Sequence, residues 1–322
     1  MPDDRIGAAG AGAALEPARS RQLDLLPSAV DPTVFDEGFL RQLERLMLVS
    51  RTAVHGGIKG VRRSAKRGQS VEFTDYRNYI AGDDLRALDW NVYARLEKLF
   101  IKLFVEEEDV TVHILLDASG SMDGGSPDKL QFGKRAAAAL AYVGLASYDR
   151  VCVSVLQGRV ARRFAAVRGT GRIFQVLADL SGVNPAPGPT DLAACARHYA
   201  AQLTQRGPML LISDLFDANA ERAISELAGT RCEVAVLHTL SPEELDPPLE
   251  GDLRLVDRET GGGVDITADL STIDEYKRRL SGWQASLEAV SSKRRVAYVP
   301  TATTLPLADL VFAELRRRRV VA

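Results

Sequence analysis

Residues 110–116 read VTVHILL, a run so β-branched and apolar that it suits a strand buried on both faces, and it stops abruptly at Asp117. A strand of that kind needs helices above and below it, which points to a parallel α/β sheet. The next residues, Asp117-Ala118-Ser119-Gly120-Ser121, set one carboxylate and two hydroxyls on alternate positions before a helix predicted over residues 128–147. Ligands of open α/β sheets bind outside the carboxyl ends of the strands, and three hard oxygen donors there suit Mg²⁺ or a similar cation. Short Asp/Ser turns also cap helices, and on that plainer reading Asp117 and Ser119 only start the helix that follows. Further oxygen donors separate the two readings. Gly188-Pro189-Thr190-Asp191-Leu192 puts a threonine just before a predicted helix, and the apolar run at residues 208–213 ends on Asp214.

The alternation continues beyond this point. Strands are predicted over residues 150–156, 209–212, 232–239 and 296–301, and helices over 171–180, 191–206, 220–228, 273–293 and 307–319. Alternating elements of these lengths imply a doubly wound, mostly parallel sheet. Residues 253–257 and 263–267 read as a hairpin joined by Arg258-Glu259-Thr260-Gly261-Gly262, whose glycines serve the turn; no Lys-Ser/Thr follows to make a phosphate cradle. His113 and His238 fall inside strands, where a hydrogen-bonded core histidine is expected rather than a ligand. The run Arg316-Arg317-Arg318-Arg319 suits the carboxyl end of a closing helix.

The N-terminal third has a different texture. Residues 1–30 are rich in Ala, Gly and Pro and are expected to form a tail without a core. An amphipathic helix should begin at Asp36, with Phe39, Leu40, Leu43, Leu46 and Met47 on one face. The basic, glycine-punctuated residues 55–67 lack interleaved aromatics, so a solvated loop is favoured over a nucleic-acid contact. In residues 68–95, Glu72, Asp75, Asp83, Asp84 and Asp89 alternate with Arg77, Arg86 and Arg95 among five aromatic side chains. Carboxylates packed so tightly among aromatics need partners to offset desolvation, so an ion-paired lid is expected, with Arg86 and Asp89 as partly buried members. The domain organisation expected is a tail over 1–30, a helix with an ion-rich subdomain over 31–105, and the α/β domain over 106–322.

Composition narrows the function. A chain of 322 residues with 46% hydrophobic and 26% charged residues and a net charge of −2 has no global pull toward nucleic acid or membrane. Its three cysteines, Cys152, Cys195 and Cys232, are far apart, lack Cys-x-x-Cys spacing, and read as reduced and structural. No window reaches the roughly 18 apolar residues of a membrane span, and the first residues lack a signal-peptide core, so a cytoplasmic protein is expected.

Two resemblances build on these residues. Asp117, Ser119 and Ser121, with Thr190 and Asp214 following in order, resemble the metal-ion-dependent adhesion site of von Willebrand factor A domains. That implies Mg²⁺ or Mn²⁺ held by these five residues. Gly68, Glu72-Phe73, Arg77, Tyr79, Gly82-Asp83-Asp84, Arg86, Asp89-Trp90, Ala94-Arg95, Lys102 and Glu106-Glu107, followed by the Asp117 motif, resemble the bacterial family catalogued as domain of unknown function 58 over roughly residues 40–240. The resemblance implies a von Willebrand factor A-like sheet and a MoxR-type AAA+ ATPase as partner. Many members of that family carry transmembrane helices near the N-terminus, and this sequence shows none.

Two functions fit. The first is a non-enzymatic adaptor, in which the ion keeps a position for a partner's carboxylate and a client protein is passed to the ATPase. The second is a metal-dependent hydrolase that activates water at the same ion, assisted by residues 106–109. With no placed general base, the adaptor is favoured; a static scaffold stiffened by the ion is its plainer variant. No residue after Asp214 stands out as a tethered carboxylate donor to the site.

Overall fold

Successive residues of the central strands point into two separate cores. Ile114, Leu116, Leu210 and Ile212 face one, and Leu115, Met209 and Leu211 face the other. With both faces covered, hydrophobicity along these strands does not alternate, which is why the sequence reads as unbroken apolar runs. The computed structural model describes residues 29–45, 72–80, 83–105, 110–147, 149–186, 188–315 and 317. Within them the chain runs α1 (residues 37–45), β1 (Glu72–Asn78), α2 (Trp90–Leu96), β2 (Phe100–Val105), β3 (Thr111–Asp117), α3 (Lys129–Ala146), β4 (Arg150–Gln157), β5 (Val160–Arg163) and β6 (Val167–Arg168). It continues through α4 (Ile173–Ser181), α5 (Leu192–Ala201), β7 (Pro208–Ser213), α6 (Ala220–Ala228), β8 (Glu233–Leu240) and α7 (Pro242–Leu245). The antiparallel hairpin of β9 (Gly251–Val256) and β10 (Gly263–Ala268) follows, then α8 (Leu270–Lys293), β11 (Ala297–Ala302) and α9 (Leu307–Asp309), which widens into a π-helical turn over Leu310–Leu315.

The main sheet has the order β11-β8-β7-β3-β4-β5, with β6 also paired to β4. Strands β3, β4, β7, β8 and β11 are parallel; β5 and β6 are antiparallel to β4. Counted in chain order without β6, this is the doubly wound 3-2-1-4-5-6 arrangement, whose order reverses between β3 and β7. The expected α/β, von Willebrand factor A-like sheet is therefore what the chain forms. Helices α3 and α4 cover one face; α5, α6 and α8 cover the other. The alanine run 136–139 of α3 is wholly buried, and Gly133 lets that helix sit close to the sheet, since a Cβ there would lie 2.8 Å from Leu116 Cδ1.

Several boundaries differ from expectation for local reasons. Helix α5 ends at Ala201 rather than near 206, because the chain must pass close beside β3: a Cβ on Gly207 would lie 2.1 Å from the carbonyl oxygen of Thr111. Strands β5 and β6 were not expected; four and two residues at a polar edge carry no readable period. The first helix is confirmed as amphipathic where it is described. Phe35, Phe39 and Leu43 enter the α3 core, and the Arg135 guanidinium donates to the Val34 carbonyl at 2.6 Å and to Asp36 at 2.7 Å. Leu46, Met47, the basic residues 55–67 and residues 106–109 lie outside the described residues, as does the tail up to residue 28.

In the ion-rich segment, β1 and β2 form an antiparallel pair. Asp89 is buried, caps α2 by accepting from the backbone N–H groups of Asn91 and Val92, and accepts the Tyr76 hydroxyl at 2.9 Å. Arg77 pairs with Asp83 at 2.8 Å. Arg86, expected to share the burial, is instead exposed, so the network here leans on Asp89 and Asp83. Among the described residues no helix is long and apolar enough to cross a membrane.

Both strand histidines are core groups. His113 meets the Tyr199 hydroxyl at 2.7 Å and the Gln205 carbonyl at 3.2 Å; His238 meets the Tyr298 hydroxyl at 2.5 Å and the Asp214 carbonyl at 3.0 Å. With one ring nitrogen donating to a carbonyl, the neutral ring can accept the hydroxyl with the other. Burial pushes His113 down from 6.5 to about 4. A group whose pKa is depressed by folding contributes stability above its unfolded value that is lost as pH falls toward the folded one, here between pH 6.5 and 4. We predict that His113 removes about 2 kcal/mol of stability between pH 7 and 5, since one pKa unit is worth about 1.4 kcal/mol. Urea titrations should show this fall shrinking in His113→Gln, which keeps a donor and an acceptor but cannot charge.

Candidate metal centre

The five residues singled out in the sequence meet at the place where the strand order reverses. Asp117 ends β3, Asp214 follows β7, and Ser119, Ser121 and Thr190 stand on the adjoining loops; all five line one cleft with Leu192, Phe216, Asp217 and Glu259. The register explains the convergence. Leu116 pairs with Ile212, so Asp117 and Ser213 leave their strands at one level, and Asp117 Oδ2 accepts the Ser213 hydroxyl at 2.6 Å. Its Oδ1 accepts the backbone N–H of Ser119 at 2.9 Å, which turns the chain so that the Ser119 and Ser121 hydroxyls lie 3.0 Å apart. Ser121 Oγ donates to Asp214 Oδ1 at 3.1 Å. Thr190 approaches from the other side, its Oγ1 accepting the N–H of Gly158 at 3.3 Å, while Asp191 caps α5.

The donor set fits a hard divalent cation. Every side-chain donor is oxygen, and among the described residues no group of three or more His, Cys, Asp or Glu is arranged as a metal site, so an ion here must rely on the hydroxyls. The charge balance favours it too. Asp117 and Asp214 are almost completely buried, and burial, reinforced by the nearby Asp214 charge, pushes the Asp117 carboxyl well above the usual range. Two like charges held this close in a low dielectric call for positive charge.

Part of that charge comes from Lys129, which sequence reasoning missed. Its ammonium is 3% exposed and donates to Asp214 Oδ2 at 2.7 Å and to Glu244 Oε1. Glu244 is held by its own helix start: its other oxygen accepts the Ser241 N–H in the capping box of α7. The signal was present in the sequence, because Lys129 is the first residue of α3, where the helix dipole disfavours a cation. A lysine there is retained for a partner outside the helix.

A second overlooked residue corrects an expectation. Glu259, in the turn between β9 and β10, is a carboxylate of this chain brought to the site. It accepts loosely from the backbone N–H of Ser121 at 3.4 Å and interacts with the Thr190 N–H. Burial raises its pKa, the two backbone donors oppose that, and the Asp214 charge adds to it. Among the described residues, Asp117, Asp214 and Glu259 line the cleft and Lys129, shared with Glu244, is the ammonium paired with them, so carboxyl groups outnumber cations here. Residues 106–109, which the hydrolase reading would use, lie outside the described residues.

The model of a family described as Protein of unknown function DUF58 matches residues 75–286, about two-thirds of the chain. Uncharacterized protein Rv1480 of Mycobacterium tuberculosis and uncharacterized protein Mb1516 of Mycobacterium bovis are each 25% identical over 303 residues, covering 92% of this chain and 95% of theirs. Among solved structures, the conserved hypothetical protein BatB from Bacteroides thetaiotaomicron is similar with a TM-score of 0.41 at 19% identity, over 66% of this chain and 100% of that one. The SpRpn10 VWA domain is similar with a TM-score of 0.36 at 12% identity, over 63% of this chain and 93% of its own.

The Lys129 arrangement generates a test. Lys129→Met leaves the buried Asp214 and the partly buried Glu244 without their cation, which should cost about 3 kcal/mol in EDTA. Thermal melts should show that millimolar Mg²⁺ restores more stability to Lys129→Met than it adds to the wild type.

Proposed function

We propose, for a chain that belongs to the DUF58 family, that the β3–β7 edge is a divalent-cation-dependent protein-binding face and that the protein is a non-enzymatic adaptor. The observation that carries this reading is the convergence of three hydroxyls and two buried, under-neutralised carboxylates on one cleft at the reversal of the strand order. Mg²⁺ or Mn²⁺ would be held by Ser119, Ser121 and Thr190, with Asp117 and Asp214 ligating directly or through water. When bound, the ion supplies a positive centre that neutral hydroxyl donors leave largely uncompensated, and so attracts a carboxylate.

The chain's own groups have defined parts in this. Asp117 orients the Ser119 loop and Ser213 fixes Asp117. Lys129 holds Asp214 toward the cleft while Ser121 takes its other oxygen. The adaptor reading is favoured over a hydrolase because the two strand histidines, His113 and His238, are committed to core hydrogen bonds and offer no placed general base. As partner we propose a MoxR-type AAA+ ATPase, with a client protein selected by the adaptor in the cytoplasm; the family resemblance supports this choice.

Isothermal titration should find one Mg²⁺ or Mn²⁺ site, lost in Asp117→Ala and in Thr190→Ala; undiminished binding in both variants would contradict the site. Because Ser119→Ala removes a ligand but no core volume, its apo form should melt within a few degrees of apo wild type. For the partner, pull-downs of a MoxR-type AAA+ ATPase from the same organism, without nucleotide and at saturating Mg²⁺, should be stronger with wild type than with Asp117→Ala. Equal capture would rule out a metal-bridged contact while leaving the partnership open to another surface.

A further inference from the structure

From the fit of the β9–β10 turn over the cleft, we propose that Glu259 is this chain's own carboxylate donor to the cation site, occupying the place that a partner's carboxylate would take. The inference rests on the cation-binding reading above and adds its regulation: an acidic side chain of a partner engages only by displacing Glu259.

Four observations fasten the turn to the site. First, Glu259 is partly buried while Asp257, Arg258 and Thr260 around it are exposed; its carboxylate accepts from the backbone N–H of Ser121 at 3.4 Å and lines the same cleft as Ser119, Ser121 and Thr190, the residues that would hold the ion. Second, Arg258 reaches Asp123 at 3.5 Å, anchoring the turn on the loop after the Asp117 motif. Third, that loop is shaped to receive it. A Cβ on Gly120 would lie 3.2 Å from Glu259 Cγ, and one on Gly124, whose φ is +153°, would lie 2.4 Å from Arg258 Nη1. Fourth, the turn is preorganised. Asp257 Oδ1 accepts the N–H groups of Glu259 and Thr260, both at 2.8 Å, and its carbonyl accepts that of Gly261, which has φ of +71°. A rigid turn presenting one carboxylate to hydroxyl donors has the chemistry of a tethered acidic peptide, at the high effective concentration that tethering gives. The hairpin's β-strands are largely exposed, so the tip can lift without opening either core.

The experiment uses the full chain with Mg²⁺ or Mn²⁺ alone and three proteins: wild type, Glu259→Gln and Asp117→Ala. Glu259→Gln keeps the size and the acceptor to Ser121 but removes the charge. Titration calorimetry should show metal binding about tenfold weaker in Glu259→Gln, because affinity follows the count of anionic donors. Hydrogen–deuterium exchange at residues 257–262 should slow on adding metal in wild type and stay unchanged in Glu259→Gln. If wild type binds metal and Asp117→Ala does not, yet Glu259→Gln binds as wild type and the turn's exchange ignores metal, the proposal for Glu259 is overturned and the cation site stands. If Asp117→Ala binds metal as wild type, the site reading itself fails.

Discussion

Two carboxylates, Asp117 and Asp214, leave adjacent parallel strands at one end of the sheet and are almost entirely withdrawn from water. Keeping both in place is the requirement around which the rest of this edge is arranged. An isolated buried carboxylate costs several kcal/mol, and two near each other raise that cost further. The chain meets it with hydrogen bonds to Asp117 from Ser213 and the Ser119 backbone, and with the Lys129 ammonium on Asp214. Hydrogen bonds and one shared ammonium do not neutralise the cluster. On the reading proposed above, that shortfall is what a divalent cation would fill.

Demands from this cluster run outward through the chain. Lys129 must be buried at the start of α3, so Glu244 is recruited to share it, and the capping box of Ser241 fixes Glu244. That segment in turn crowds the loop after Ser121: a Cβ on Gly125 would lie 2.4 Å from Ser241 Cβ, at a φ of +86° that already favours glycine. Arg258 closes on the same loop from the hairpin. Parts of the chain more than a hundred residues apart thus meet at one short loop.

Much of this was legible beforehand. The abrupt ending of an apolar run on Asp117, and again on Asp214, gave both the sheet and its working edge, because strands buried on two faces stop where polar chemistry starts. The histidines were also legible: inside such runs a satisfied core group is the expected role, and both make two hydrogen bonds there. What the sequence hid are groups whose role depends on tertiary neighbours. Lys129 and Glu244 are 115 positions apart; a lysine at a helix start is out of place there, but nothing local names Glu244 or Asp214 as its partner. Glu259 sits in a turn whose glycines explain it without any partner, and nothing local indicates that the turn folds back over the Asp117 loop. The same holds for Arg86, which is exposed while Asp89, three residues on, is buried, a difference that spacing does not encode.

The account stands most directly on where an ion sits. Crystals of the full chain soaked with Mn²⁺ and measured at the manganese absorption edge should give one strong anomalous peak, bounded by the oxygens of Ser119, Ser121 and Thr190 and within reach of Asp214. A peak elsewhere, or none at millimolar Mn²⁺ with the Lys129–Asp214 pair undisturbed, would mean that Lys129 alone balances this edge and that the cleft is not a cation site.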